Sequence, residues 1–258
     1  MISRGNSIAR ARAIYDKRLT PEATQQMRGH LEGSAAESSA LLATSVLCDY
    51  LNRWNNAGAD EIARAETAVH HAVTTKPDHF LGHYAKGFLH RTKGEHEAAL
   101  VAFTETLKHN PDFARGHAQR GAELVYCGRP EEGIAEVEKA IALSPKSPSL
   151  GMFHWIIGRT RFFMGQDAEA ITWLQRSVRL WPHLWYNRLY LASAYALSGK
   201  KAAASRALKA FDKKFPGWTL ARVEVEERAN PNSNPFVVAG RNRFHEGLQR
   251  AGMAPGTN

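Results

Sequence analysis

The sequence predicts an all-α solenoid of antiparallel helix pairs, closed at its C-terminal end by a helical cap, and three observations predict it. A proline recurs as Pro77, Pro111, Pro145, Pro182 and Pro216, at spacings of 34, 34, 37 and 34 residues. Glycine keeps the same metre twice: at Gly87, Gly121 and Gly158, with Ala192 in the next slot, and at Gly94, Gly128, Gly165 and Gly199. A small residue follows at Ala65, Ala99, Gly133, Ala170 and Ala204, and a large apolar one four positions later at Val69, Phe103, Val137, Leu174 and Leu208. A fixed period in the range of about 20–50 residues marks a repeat array, in which each unit buries its apolar face against its neighbours.

Each recurring residue has a physical role. The first glycine falls midway along an apolar-periodic helix, where Gly costs about 1 kcal/mol against Ala, so close packing on a second helix must compensate; Ala99 is the expected partner of Gly87. The second glycine stands where the first helix must stop, in the left-handed conformation that glycine adopts most cheaply. Pro130 fits the first turn of a second helix, where its missing N–H costs nothing. The periodic prolines end each second helix, because a proline has no N–H to donate and pushes the preceding residue out of helical geometry. The single 37-residue interval absorbs its three extra residues near Lys146 to Ser149, in a Ser/Pro-rich loop.

Toward the N-terminus the pattern loosens. A helix is expected from about Ser38 to Trp54, followed by a longer turn at Asn55, Asn56, Ala57 and Gly58. Residues 1–37 read as a degenerate helix pair, with one helix up to Arg18 and another opening at Thr20, Pro21 and Glu22. Beyond Gly217 the metre is lost, and Trp218 to Arg228 and Phe236 to Ala251 read as two helices separated by a run from Asn230 to Pro235. Three regions follow: 1–37, a repeat array over 38–216, and capping helices and tail over 217–258.

Composition narrows the function classes. With 258 residues, 43% hydrophobic and 9% aromatic, the chain can bury a sizeable core, and it lies far from a disordered composition. No stretch approaches the roughly 18 uncharged apolar residues of a membrane helix. The N-terminal residues interleave Arg4, Arg10, Arg12 and Lys17 with single apolar positions and lack the apolar run of a secretory signal, while Cys48 and Cys127 sit apart in apolar stretches; a cytoplasmic protein with two buried thiols is expected. The net charge of +9 is concentrated at the ends: residues 1–30 hold 6 basic and 2 acidic residues, and residues 200–258 hold 11 and 5. The body between them is near neutral, with 17 and 18, so no continuous phosphate-tracking stripe exists; nucleic acid is not the expected partner, although the basic ends would attract an acidic one.

The period of 34, the small residues at the eighth and twentieth places, the bulky apolar residue at the twenty-fourth and the proline at the thirty-second resemble the tetratricopeptide repeat. Well-matched copies run Phe80 to Asp112, Ala114 to Pro145, Gly151 to Pro182 and Trp185 to Pro216, while the copy ending at Pro77 is looser. The resemblance implies a right-handed superhelix whose concave side is lined by the first helices. The array and its tail, from Leu191, Ala192, Ser193, Ala194 and Tyr195 to Gly252, are also similar to the repeat region attached to some bacterial class III adenylate/guanylate cyclases and winged-helix regulators. No catalytic domain accompanies it here, so that likeness implies a regulatory module acting in trans.

Enzyme motifs are missing from the sequence: there is no G-x-G-x-x-G, no G-x-x-x-x-G-K-[ST] and no G-x-S-x-G, and no enzyme or cofactor is expected. His79 and His83, with His70 and His71 nearby, could bind a metal only adventitiously, since no Cys or carboxylate shares their face. His83, His117 and His154 recur at the fourth place of successive repeats and read as packing residues. Implied by the family, places 2, 5, 9 and 12 of each first helix face the concave side. There the chain offers Tyr84, Phe88 and Arg91 in one repeat and Arg115 in the next. Met152, Trp155, Arg159 and Phe162 come from the third, and Tyr186 from the fourth. Aromatics beside arginines suit a groove that grips a peptide or helix by apolar contact and bidentate carboxylate binding. The function expected is a non-enzymatic protein-interaction scaffold. Two alternatives stand beside it: the stand-alone regulatory module, and a nucleic-acid-binding helical repeat. A further alternative holds for the stripe itself, which the protein's own terminal helices could cover.

Overall fold

A computed structural model describes residues 35–53, 58–228 and 230–256, together with Glu22 and Gln26. The expected degenerate pair over 1–37 and the turn at Asn55 to Ala57 lie almost wholly outside the described residues. Among those described, twelve helices and no strand occur. Five pairs follow one another: α1 (Ala36–Asn52) with α2 (Ala59–Thr75), α3 (Phe80–Thr92) with α4 (His96–His109), α5 (Ala114–Tyr126) with α6 (Pro130–Leu143), α7 (Leu150–Phe163) with α8 (Asp167–Leu180), and α9 (Trp185–Leu197) with α10 (Lys201–Lys214). Each helix packs on its partner and each pair on the next. The chain ends in α11 (Leu220–Glu227) and α12 (Pro235–Ala251). No described helix is long and apolar enough to cross a membrane.

In the four pairs from α3–α4 to α9–α10 the turn between the helices is the same device. Gly94, Gly128, Gly165 and Gly199 have φ of 74, 79, 77 and 73°, which a residue with a Cβ rarely adopts. The N–H one residue later then reaches back to the carbonyl five positions earlier: Glu95 to His90 at 3.0 Å, Arg129 to Leu124 at 2.8 Å, Gln166 to Arg161 at 2.9 Å and Lys200 to Tyr195 at 2.9 Å. These are Schellman closures, and they satisfy carbonyls that the end of the helix would leave open.

The mid-helix glycines are seats for the bulky residue of the second helix. A Cβ on Gly87 would lie 2.6 Å from the Phe103 ring, and one on Gly158 would lie 3.0 Å from Leu174. Gly121 is tighter still: its Cβ would meet the Gly133 carbonyl oxygen at 2.6 Å and Val137 at 2.7 Å. In the first of these pairs the neighbour nearest the glycine is the ring at the twenty-fourth place, and Ala99, fully buried, sits beside it in the same core.

The fourth-place histidines turn out to join consecutive repeats. His83 Nε2 and His117 Nε2 each lie 2.7 Å from the carbonyl oxygen of the proline six residues back, Pro77 and Pro111. In the last repeat the Asn187 amide does the equivalent for the Trp181 carbonyl at 3.0 Å. His117 Nδ1 also meets Glu136 at 2.9 Å. Burial pushes the Glu136 carboxyl up, but hydrogen bonds from His117 and Arg120 outweigh it and hold its pKa at about 2. His154 lacks the proline bond and lies against Trp173, with centroids 5.2 Å apart, where burial pushes its pKa down to about 4.

The two kinds of glycine should separate in equilibrium urea unfolding. Gly121→Ala forces a methyl against backbone and is expected to cost about 1–3 kcal/mol. Gly165 has open space around it, so Gly165→Ala should cost only the backbone strain of about 1 kcal/mol, and Gly165→Asn less than that. Equal losses for Gly121→Ala and Gly165→Asn would contradict the seating role.

Candidate functional site

The concave side is built from the first helices α3, α5, α7 and α9, and the C-terminal helix lies upon it. α12 packs against α9, α7 and α5. The Phe244 ring stacks on Tyr190 with centroids 3.8 Å apart and planes 6° from parallel. Two glycines let the helix approach: a Cβ on Gly240 would fall 2.3 Å from the Phe163 ring, and one on Gly247 would fall 1.9 Å from Ser193 Oγ. The segment leading into α12 runs past the turns of earlier repeats. The Pro231 carbonyl meets His96 Nε2 at 2.9 Å, and the Asn232 amide donates to the Tyr126 carbonyl at 3.0 Å. α11 in turn reaches the first described repeat, through an ion pair of 2.7 Å between Arg53 and Glu226. Next to it the Tyr186 hydroxyl donates to Asn52 Oδ1 at 2.8 Å.

Between the concave wall and this cap is a cavity of about 150 Å³. Six of the nine residues singled out from the sequence line it: Phe88, Arg91, Met152, Trp155, Arg159 and Tyr186. The other three do not. Tyr84, fully buried, packs edge-on against Phe88, Phe103 and Phe113; Phe162, also fully buried, packs on Tyr190; Arg115 donates to Ser149 Oγ at 2.8 Å. The remaining wall comes from residues the spacing rule passed over. Gln119 and Tyr190 occupy the sixth place and Tyr126 the thirteenth, each one residue beyond the 5 and 12 positions, so the inward stripe is two residues wide at each turn. That width was legible as polar-aromatic residues next to the predicted ones. Phe244 and Arg241 come from the cap, and no repeat rule could supply them.

The two arginines in the cavity differ in their compensation. Arg91, 8% exposed, donates from Nε to Glu123, whose side chain is fully buried, and from Nη1 to Gln119 Oε1 at 2.7 Å. The other Glu123 oxygen meets His96 Nδ1 at 2.9 Å. This cluster is a closed charge network linking α3, α4 and α5. Arg159, 7% exposed, donates from Nη1 to the Tyr126 hydroxyl and lies over the Tyr126 ring at 4.5 Å. Burial works against its charge, while the Tyr126 hydroxyl it donates to and the rings of Tyr126 and Trp155 favour the charged form, so it stays protonated. Burial in turn pushes the Tyr186 and Tyr190 hydroxyls up, which keeps both neutral. Around the rim the half-exposed side chains are Asn52, Glu226, Glu227, Asn230 and Arg241.

Cys48 is buried and Cys127 partly so, and burial pushes the Cys127 thiol up to about 12, far from a nucleophile's range. Among the described residues no group of three His, Cys, Asp or Glu side chains could hold a metal ion. His71, one of the histidines considered for that chemistry, instead meets Ser39 Oγ through Nδ1 at 3.1 Å.

This architecture recurs in solved structures. The type IV pilus biogenesis factor PilW superposes with a TM-score of 0.60 over 81% of this chain and 96% of its own, at 19% identity. TTC0263, a thermophilic TPR protein of Thermus thermophilus, does so with a TM-score of 0.55 over 74% and 98%, at 18% identity. The fold is that of the tetratricopeptide repeat. In sequence, the chain is 24% identical over 106 residues to the photosystem I assembly protein Ycf3 of Prochlorococcus marinus, and 28% identical over 87 residues to human DnaJ homolog subfamily C member 3. It spans 61% of the length of the first and 17% of the second. No protein-family model matches it. At 19% and 18% identity, the likenesses to PilW and TTC0263 show the fold alone.

A histidine joins the two helices of the cap. His245 on α12 meets Glu227 through Nε2 at 2.6 Å and Glu224 through Nδ1 at 3.5 Å, and the hydrogen bond to Glu227 raises its pKa. A raised folded value means that the stabilisation is complete below the unfolded pKa of about 6.5 and is lost as pH rises through the higher folded value. Amide exchange in α11 should therefore quicken, relative to its intrinsic rate, as pH rises from about 6 to about 8, and His245→Gln should abolish that dependence. A slope that survives in the variant would assign it to another group.

Proposed function

We propose that this protein is a non-enzymatic protein-interaction module, with residues 38–216 as the repeat array and 217–258 as a cap seated on its concave side. The observation that carries the reading is that the concave side already binds a helix, and the helix is the chain's own α12. Phe244 fills an aromatic seat on Tyr190, two glycines allow close approach, and Arg243 pairs with Asp167 at 2.5 Å. A face with these properties is a helix-in-groove surface, and a partner segment would engage it beside α12 or in its place, over Phe88, Arg91, Trp155, Arg159 and Tyr186. The repeat fold supports this reading, since a solenoid presents its inner face as an extended binding surface. Its neighbours include a type IV pilus biogenesis factor in structure and a photosystem I assembly protein in sequence, in keeping with a role in assembly.

The partner itself is identified by capture with the tagged full chain and mass spectrometry, followed by titration. Trp155→Phe and Arg159→Gln keep most of the local volume, and each should weaken the captured partner by about 30-fold, the effect of truncating an interface hot spot, while circular dichroism and melting confirm the fold. Undiminished affinity in both folded variants would move the partner off the concave side, to the basic ends.

A further inference from the structure

Charge compensation around the cavity is complete except at one edge. Arg91 is answered by Glu123, Glu226 by Arg53, and Glu227 by His245. Among the described residues Arg159 has no carboxylate within ion-pair distance, and its buried Nε–H has no acceptor. Arg241 at the rim donates to the Asn230 carbonyl at 2.5 Å and likewise has no carboxylate partner among the described residues. A buried guanidinium whose only acceptor among them is a neutral phenol is an incomplete ion pair.

The rest of the wall is aromatic. Trp155 packs on Tyr186 with centroids 4.5 Å apart, and Tyr190 on Phe244, so ring faces and edges surround the arginine. The volume of about 150 Å³ matches an interior cavity that accommodates a single benzene ring.

We propose that this cavity is a binding site for a small aromatic monocarboxylate, whose ring lies among Trp155, Tyr186, Tyr190 and Phe244 and whose carboxylate pairs with Arg159. Guanidinium matches a carboxylate in a planar, two-bond geometry, and the low-dielectric surroundings strengthen the pair. A single negative charge fits better than two, because Glu226 and Glu227 share the rim and would repel a dianion. A free acid fits better than a continuous peptide, because α12 crosses the same face and leaves space for about one ring. The site shares residues with the interaction surface proposed above, but its occupancy requires no partner protein, so it stands or falls separately.

The test is titration of the purified full chain, followed by calorimetry and by tryptophan fluorescence, with phenylacetate and indole-3-acetate as acids, phenylacetamide as the neutral isostere and phenyl phosphate as the dianion. The acids should bind in the millimolar range or tighter and perturb the fluorescence, with the amide and the phosphate each at least about tenfold weaker. Arg159→Lys should keep the preference for acid over amide, and Arg159→Gln should lose it. No binding of either acid to the wild-type protein at about 10 mM overturns the proposal. So does equal binding of acid and amide, or a preference that persists in folded Arg159→Gln. If Arg159→Gln fails to fold, the acid and amide comparison on the wild-type chain decides alone.

Discussion

The close approach between paired helices at the eighth place of three successive repeats, Gly87, Gly121 and Gly158, is the constraint on which the rest of the described structure depends. With glycine there, the second helix comes near enough for the Gly121 and Gly133 segments to touch backbone to backbone. Phe103, Val137 and Leu174 then fill the recess, each fully buried. Close pairing makes each repeat thin and fixes the angle at which the next one stacks. A stack of such units has an inner face made from one helix per repeat, and so it brings Phe88, Tyr126, Trp155 and Tyr190, from four separate repeats, onto one wall. Without the glycine seats those side chains would have no common surface.

A repeat array leaves its last unit open, and the cap solves this in an unusual direction. A terminal helix usually continues the stack; α12 instead turns back across the concave side and touches three first helices. The glycines at 240 and 247 are the local price of that path, since each lowers helix propensity in exchange for contact with Phe163 and Ser193. The return path also accounts for contacts far apart in sequence, Arg53 with Glu226 and Asn52 with Tyr186, which tie the first described repeat to the last ones. The groove of the array is thereby turned into a bounded cavity.

Much of the scaffold was legible in the sequence because a period converts weak local preferences into a repeated signal. Gly94, Gly128, Gly165 and Gly199 each say little alone, yet at one metre they announce four identical helix ends, and the structure shows four identical Schellman closures. The site was legible only in part. Its repeat-borne half follows from position, although the rule that selected places 5 and 12 missed their neighbours at 6 and 13, because a stripe facing a covered cavity is wider than one facing a flat groove. Tyr84 and Phe162 show the converse error: they share the inward face by spacing, yet they are fully buried, Tyr84 among Phe88, Phe103 and Phe113, and Phe162 against Tyr190 and beneath Arg243 of the cap. The cap-borne half, Phe244, Arg241 and Glu226, has no period and could not be placed before the path of the tail was known.

The two buried arginines differ in what their burial achieves. Burying an ion pair rarely gains stability over well-packed apolar residues, so its retention calls for another reason. For Arg91 the reason is geometric: with Glu123, Gln119 and His96 it makes a network that only one relative position of α3, α4 and α5 satisfies, and so it fixes register between repeats. Arg159 does no such thing. Its one hydrogen bond among the described residues is to Tyr126, and apolar rings in its place would join α5 to α7 as firmly without the desolvation cost. Among the described residues no carboxylate answers Arg159, and its guanidinium lines the cavity beside Trp155. An aromatic wall and a charge of this kind coincide at the third well-formed repeat, and that coincidence is the physical ground for proposing that a ligand or partner engages the concave side there.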